Sequence, residues 1–339
     1  MKHAFTKVAW IAFAKNWLRN ALLYLATGYV LFFASERVFW STFRTGDHLG
    51  ELAFTWLAYS VIACVFVNVV SRFRATTVAT VFLAGALYGW LTEGALVGTL
   101  YGTEDSAPFP LSIVWTGLSW HALISVLVCW HFIGRALREP KPWKSLAWAA
   151  ALGVYWGLWA PFLWREDPPE VAPVGLFAAH AFVCSALLLL SHTVVLRFPV
   201  PSIRPGWPGL IFSLLVLGVF YSAQVKSLGL RPLLLLPLLS GTILGLLWWS
   251  RRRTATASTG AEATLVNFRN LLALLGAPAV AVALYAGQLA LKVKGIAPIH
   301  FYRAGGILAV ALLGWAVYRV ARPPLDHDPA RINPPPAAD

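Results

Sequence analysis

Three ionisable side chains, Glu93, His121 and His180, lie inside long apolar stretches of the sequence. An ionisable group within a membrane span is costly and is functional by default. A carboxylate beside two imidazoles in a low-dielectric environment has the groups needed to polarise a water molecule, because one base takes the proton and donors hold the developing oxyanion. These residues therefore predict a hydrolytic site. The alternative is structural: Glu93 pairs with one histidine to avoid being a bare buried charge.

The positions of these residues along their apolar stretches predict similar depths in a bilayer. Glu93 lies about two helical turns before the outer end of the third stretch. His121 follows Pro110 by eleven residues in the fourth stretch, and His180 lies near the start of the sixth. At a rise of about 1.5 Å per residue, their depths differ by only a few ångströms. We therefore expect the three side chains to meet in one cavity within the membrane.

The composition predicts that the segments carrying these residues lie in a membrane. Of 339 residues, 58% are hydrophobic and only 12% are charged, whereas a soluble domain carries about 25% charged residues. This excludes an ordinary soluble enzyme. Since about 20 apolar residues cross a bilayer and backbone exposed to lipid must be helical, we predict an all-α, polytopic bundle of about ten transmembrane helices. The apolar stretches are 20–35, 52–71, 75–101, 110–134, 145–164, 173–196, 208–225, 232–250, 270–291 and 304–321.

The distribution of basic residues predicts the orientation of the bundle. With a cytoplasmic N-terminus, 19 of the 27 Lys and Arg residues fall on the inner side and 8 on the outer side. This bias follows the positive-inside rule and predicts that both termini are cytoplasmic, in the inner membrane of a prokaryote. The net charge of +13 then reflects topology and attraction to anionic lipids, so nucleic acid is not an expected partner.

The chain is predicted to divide into three regions. Residues 1–200 form a helical membrane core that carries the ionisable residues. Residues 201–321 form four further transmembrane helices, whose apolar runs contain no acid and no histidine. These plain helices are expected to contact membrane-protein partners as well as the bilayer. The tail at 322–339 is rich in proline and is predicted to be a disordered cytoplasmic segment.

Three short motifs in the core resemble those of one enzyme family. The run T-E-G-A-L-V-G-T-L-Y at 92–101 resembles an E-E-x-x-x-R motif near the end of a helix. The run T-G-L-S-W-H-A-L at 116–123 resembles F-x-x-x-H, and F-A-A-H-A-F-V-C at 177–184 resembles H-x-x-x-N or H-x-x-x-D. Their order resembles that of the CPBP family of CAAX proteases and bacteriocin-processing enzymes. The similarity covers roughly 75–197.

The resemblance implies an intramembrane glutamic endopeptidase. Glu93 would be the catalytic base, His121 its partner in activating water, and His180 the residue that stabilises the oxyanion. Trp120 and Cys184 are assigned to substrate binding. The substrate would be a hydrophobic peptide or a lipid-linked molecule, and neither a cofactor nor a metal is predicted, although two imidazoles and a carboxylate leave zinc as an alternative.

Departures from the family motifs leave other functions open. Thr92 replaces one glutamate, Val97 or Gly98 stands where arginine is expected, Gly117 replaces phenylalanine, and Cys184 replaces Asn or Asp. A non-catalytic descendant that acts as a regulator or assembly factor is one alternative. A proton-coupled transporter, or a non-catalytic subunit of a membrane complex, is another.

Two further groups of polar residues are given structural interpretations. Glu36 and Arg37, at the outer end of the first helix, are expected to form an ion pair at the membrane interface. His131 and His192 form a second layer near the cytoplasmic ends of their helices, and they are expected to anchor those helices at the interface.

Overall fold

A computed structural model describes residues 2–42, 48–103, 107–165, 169–198, 203, 206–253, 267–293 and 295–322, with side chains from residue 14 onward. Ten of its helices are long and apolar enough to cross a membrane, which confirms the all-α, polytopic prediction. Except for Arg322, the predicted disordered tail lies outside the described residues. The ten helices are α1 (Ala14–Val38), α2 (Leu49–Phe73), α3 (Val78–Val97), α4 (Leu111–Arg138), α5 (Pro142–Arg165), α6 (Val174–Val195), α7 (Trp207–Leu228), α8 (Leu230–Arg253), α9 (Phe268–Ala290) and α10 (Pro298–Ala321).

Helix α3 lies at the centre of the bundle. It begins with a capping box, in which the hydroxyl of Thr77 accepts from the Thr80 backbone and Thr80 returns the bond. The helix then runs apolar on every side, as expected of a helix without a solvent face. It packs against α2, α4, α7, α8 and α10, and 83% of its most apolar segment is buried.

Glycine allows the helices around the site to approach closely. A Cβ atom at Gly89 of α3 would overlap the carbonyl oxygen of Gly117 on α4, and one at Gly28 of α1 would overlap Ser60 on α2. Small residues let membrane helices bring their backbones together, where packing and interhelical hydrogen bonds hold them. The α3–α4 contact is the one that matters most for the site, because Gly89 and Gly117 each lie four residues before Glu93 and His121.

Three of the helices change to π-helical geometry where the polar residues lie. The π segments are Phe33–Val38 at the end of α1, Thr92–Val97 at the end of α3, and Gly117–Ile133 within α4. A π-helix is rare, is mostly limited to a single turn, and is often found at functional sites. Here the three segments carry Glu36, Glu93 and His121. The wider turn also shifts side chains away from the faces that a 3.6-residue period predicts.

The last four helices are less buried than the first six. Only 11% of the most apolar segment of α7, 22% of that of α8 and 17% of that of α10 lies inside the protein. Their remaining surface is apolar and suits a lipid environment. All four also pack on the first six helices, since α9 contacts α5 and α6, α8 and α10 contact α3, and α7 contacts α2. The helices on the two sides of residue 200 therefore share one packed core.

Candidate functional site

Glu93 and His121 form a buried hydrogen-bonded pair. The Oε1 atom of Glu93 lies 2.6 Å from Nε2 of His121, and the side chains are only 8% and 4% exposed. Glu93 is supplied by the π turn that ends α3, and His121 by the π-helical part of α4. Removing a carboxylate from water costs several kcal/mol, and a close partner with good geometry offsets much of that cost. The pair therefore holds a carboxylate and an imidazole in direct contact inside the protein.

A threonine bonds the second oxygen of the Glu93 carboxylate. The hydroxyl of Thr99 donates to Oε2 of Glu93. Thr99 reaches back to Glu93 because Gly98 adopts a φ of +90° and reverses the chain after the π turn. This left-handed conformation favours glycine, which has no Cβ. Glycine at position 98 thus serves the geometry of the site.

The second nitrogen of the His121 ring is bonded to serine. Its Nδ1 atom lies 2.9 Å from Oγ of Ser35 on α1, and Ser35 lies 2.8 Å from Oγ of Ser125 on α4. Bonds at both nitrogens fix the plane of an imidazole and select its tautomer. Serine is common in membrane helices, so the sequence alone did not single out Ser35 or Ser125.

A second carboxylate lies close to the pair. Glu36 follows Ser35 directly and accepts hydrogen bonds from the hydroxyl of Tyr59 at 2.8 Å and from Nε1 of Trp40 at 2.9 Å. The guanidinium of the neighbouring Arg37 lies over the ring of Phe32, 5.2 Å from its centroid. The sequence predicts an interfacial ion pair of Glu36 with Arg37, and the structure gives the Glu36 carboxylate hydrogen bonds to Tyr59 and Trp40.

A cavity of about 440 Å³ lies next to Thr99, the residue that bonds the Glu93 carboxylate. Thr99 and Thr116 are both part of its wall. One side is closed by Trp115 and Tyr302, whose rings stack with centroids 3.8 Å apart. The described residues that line this cavity carry hydroxyl, aromatic and aliphatic groups and no charge: Phe39, Thr99, Ala107, Pro108, Leu111, Ser112, Trp115, Thr116, Ile299 and Tyr302. The volume falls in the usual range for a small-molecule site.

His180 lies in a different set of contacts. It is fully buried, its Nε2 atom is 3.1 Å from the backbone oxygen of Arg37, and its ring packs edge-on against Trp156. The hydrogen bonds described for Glu93 and His121 go to other groups. The structure therefore brings two of the three predicted residues together, and the predicted role of His180 in oxyanion stabilisation remains a prediction.

Trp120 and Cys184, assigned to substrate binding, are both buried. Nε1 of Trp120 donates to the backbone oxygen of Ala34 at 2.9 Å. The Sγ atom of Cys184 lies 4.0 Å from the ring of His180, and its backbone oxygen accepts from the Tyr29 hydroxyl. Neither is among the described residues that line the cavity next to Glu93. Their assignment to substrate binding also stays a prediction.

The two histidines of the second layer differ in burial, and His131 is half-buried. His192 is completely enclosed by protein, with 0% of its surface exposed.

The sequence leaves zinc as an alternative ligand of Glu93, His121 and His180. Within the residues that the structure describes, no group of three or more His, Cys, Asp or Glu side chains is placed to share a metal ion. The Glu93–His121 pair alone supplies two donors, whereas catalytic zinc takes three from protein.

No protein-family model, curated protein or solved structure matches this chain. The similarity of residues 75–197 to CPBP motifs is therefore still an expectation from short motifs.

Proposed function

We propose that this protein is an intramembrane hydrolase in which Glu93 and His121 activate a water molecule. The observation that carries the proposal is the buried 2.6 Å contact between the two side chains, beside a cavity whose wall includes Thr99, which bonds the carboxylate. A general base must lie within hydrogen-bond reach of the proton that it abstracts, directly or through one water. A water in this cavity would lie beside Thr99, whose hydroxyl bonds the Glu93 carboxylate, and the proposal requires it to approach the carboxylate past this residue.

The proposed reaction is hydrolysis of a carbonyl compound. The Glu93 carboxylate accepts a proton from water as the water oxygen attacks the substrate carbonyl carbon. His121, bonded to the other carboxylate oxygen, stabilises the charge that moves through the pair. The bond between the carbonyl carbon and the leaving group then breaks, and the proton held by Glu93 passes to the departing nitrogen or oxygen. Atoms and charge balance without a further reactant, as in general acid–base catalysis.

The cavity favours an apolar substrate without charge. Its described lining contains no charged residue, so a charged group entering it would lose hydration without gaining a partner. The cavity lies between α4 and α10, two helices that face the bilayer on part of their surfaces. These features support a hydrophobic peptide segment or the acyl part of a lipid-linked molecule as the substrate.

Blocking the cavity should inhibit hydrolysis without altering the pair. Ile299 lines the cavity from α10, whereas Ile307 on the same helix is 74% exposed and faces outward. We expect Ile299→Trp to reduce kcat/KM at least tenfold, because the indole occupies space that the substrate needs. Ile307→Trp, the matched control, should stay within twofold of wild type. The measurement is release of product from single-span peptides in proteoliposomes, followed by mass spectrometry, and equal effects of the two variants would contradict this path for the substrate.

A proton-coupled transporter is a second candidate, and one observation favours it. The cavity is lined by Phe39 directly after α1, Thr116 of α4 and Tyr302 of α10, which come from both halves of the chain. A transport site at the interface of two halves is typical of secondary transporters. Proteoliposomes that contain a pH-sensitive dye distinguish the two candidates, since a transporter moves protons with its solute whereas a hydrolase releases cleavage products.

We further propose that the end of the bundle where α1 begins and α2 ends faces the cytoplasm of a prokaryote. Arginines at this end stack on tryptophan rings, with Arg72 3.9 Å from the Trp207 centroid and Arg252 3.6 Å from that of Trp248. Basic residues and tryptophans concentrate at such an interface. This orientation would open the cavity to the outer side.

Cysteine labelling of intact cells tests that orientation. The native residues Cys64, Cys129 and Cys184 are all buried, so they give a low background. A membrane-impermeant maleimide should label Gly50→Cys, at the exposed start of α2, and should leave Lys141→Cys, before α5, unlabelled until the cells are lysed. Labelling of Lys141→Cys in intact cells, with Gly50→Cys protected, would reverse the assigned orientation.

A further inference from the structure

A second cavity lies at the end of the bundle opposite the start of α1. It has a volume of about 280 Å³, and its wall includes Ser41, which follows α1, Trp164 near the end of α5, Leu176 near the start of α6, and Tyr285 of α9. The Glu93–His121 pair is not among the described residues of this wall. The cavity is therefore a separate site, which the proposed hydrolysis does not use.

Glu170 carries the only charge among the described residues that line this cavity. Its backbone N–H donates to the Leu163 oxygen at 3.0 Å, which ties it to the end of α5, and its side chain is exposed. None of the ion pairs in the described part of the chain involves Glu170. Arg165, a basic residue nearby in the sequence, donates instead to the backbone oxygen of Gly295 at 2.8 Å. A carboxylate without a described counter-charge favours a cationic ligand.

The uncharged polar side chains of the cavity have used their own hydrogens. The Ser41 hydroxyl donates to a backbone oxygen at the end of α1 at 2.9 Å, and the Tyr285 hydroxyl donates to the Ala172 oxygen at 2.8 Å. Nε1 of Trp164 donates to the Tyr285 hydroxyl at 3.2 Å, and the Thr42 hydroxyl is closed off from solvent. These side chains therefore offer accepting oxygens to a ligand, which must itself supply the donors.

Aromatic rings form much of the remaining wall. The rings of Phe177 and Tyr285 stack with centroids 4.4 Å apart, and Trp164 meets Tyr285 edge-on at 5.1 Å. The faces of such rings attract an ammonium group. A primary ammonium suits both the rings and the acceptors, because it carries a positive charge and three N–H donors. A quaternary ammonium has the charge but no donor.

The outer surface of α6 favours a lipid as the source of that ammonium. Leu176 lines the cavity and is also 43% exposed. Val183, Leu187 and Leu190 follow it at steps of seven, four and three residues, so these exposed side chains share one face of the helix. An apolar face thus runs along α6 away from the cavity. The acyl chains of a lipid whose headgroup occupied the cavity would lie against this face.

We propose that this cavity binds the primary ammonium headgroup of a phospholipid such as phosphatidylethanolamine, with Glu170 as its counter-ion. The headgroup is small, as a cavity of this volume requires, and it lies at the membrane interface, where tryptophan and tyrosine concentrate. Binding of this lipid needs neither Glu93 nor His121.

The test is titration of delipidated protein with phosphatidylethanolamine, phosphatidylcholine and phosphatidylglycerol of identical acyl chains, followed by native mass spectrometry. Phosphatidylethanolamine should bind about tenfold more tightly than phosphatidylglycerol, from the ion pair and the aromatic contacts together, and more tightly than phosphatidylcholine. Glu170→Gln should weaken its binding about fivefold, the upper end for an exposed ion pair, and should leave phosphatidylglycerol binding unchanged. Glu51→Gln, an exposed acid at the start of α2, is the matched control. Unchanged binding of phosphatidylethanolamine by Glu170→Gln would overturn the proposal.

Two further measurements test the cavity and the source of the ammonium. Val171→Trp fills the cavity without changing charge, because Val171 lines it and is half exposed. It should weaken phosphatidylethanolamine binding at least as much as Glu170→Gln, whereas Val219→Trp, on the exposed face of α7, should not. Equal binding by the two tryptophan variants would contradict the cavity as the site. Soluble ethanolamine should compete poorly with the lipid, and competition at equal concentration would identify a free amine as the ligand and overturn the assignment to a lipid.

Discussion

Glu93→Gln should reduce hydrolysis by about 10²–10⁴-fold, the contribution typical of a general base. Glutamine has the same shape as glutamate and can still accept a hydrogen bond from His121, so packing around α3 should change little. The amide cannot take a proton from water at ordinary pH. The measurement is single-turnover cleavage of a membrane peptide, with the folded state followed by circular dichroism and thermal unfolding in detergent.

Glu51→Gln serves as the control for this experiment. Glu51 lies at the exposed start of α2, so the same chemical change is made outside the site. Activity of Glu93→Gln within twofold of wild type, with Glu51→Gln also unchanged, would reduce the Glu93–His121 contact to a structural pair. That result would favour the non-catalytic alternatives.

Gly89→Ala should cost about 10²-fold in activity while the protein remains folded. A Cβ at position 89 would overlap the backbone carbonyl oxygen of Gly117, and backbone cannot move aside as a flexible side chain can. The two helices must separate at this point, one turn away from Glu93 and His121. A displacement of about 1 Å at a catalytic centre costs on the order of 10²-fold in rate. The measurement is kcat for Gly89→Ala in the same cleavage assay.

Gly218→Ala on α7 is the matched control, because nothing lies within 4 Å of a Cβ built at that position. It places the same methyl group on a transmembrane helix that faces outward. Since alanine favours a helix more than glycine does, this variant should be as stable as wild type or slightly more so. Equal activities of Gly89→Ala and Gly218→Ala would show that the α3–α4 approach does not set the geometry of the pair.

The helices could be predicted from the sequence because the bilayer imposes one simple requirement. Every span needs a long apolar run, and each of the ten predicted stretches overlaps a helix in the structure. The contact between Glu93 and His121 was also within reach, since two ionisable groups at similar depth on consecutive spans lower their desolvation cost by pairing.

The rest of the site depends on features that hydropathy does not report. Ser35 and Thr99 are ordinary polar residues, and only packing shows that they bond His121 and Glu93. Depth alone could not decide whether His180 faces the pair, because the rotation of a helix about its axis is set by its neighbours. The π segments alter that rotation further, so a period of 3.6 residues misplaces side chains along Gly117–Ile133.

The weak burial of α10 links the cavity to the thickness of the bilayer. This helix supplies Ile299 and Tyr302 to the cavity wall, yet only 17% of its most apolar segment is held by protein. A helix held chiefly by lipid adjusts its tilt when the hydrocarbon layer becomes thinner or thicker. The acyl-chain length of the lipid would then set the width of the cavity between α4 and α10, and the proposed hydrolysis would run at different rates in membranes of different composition.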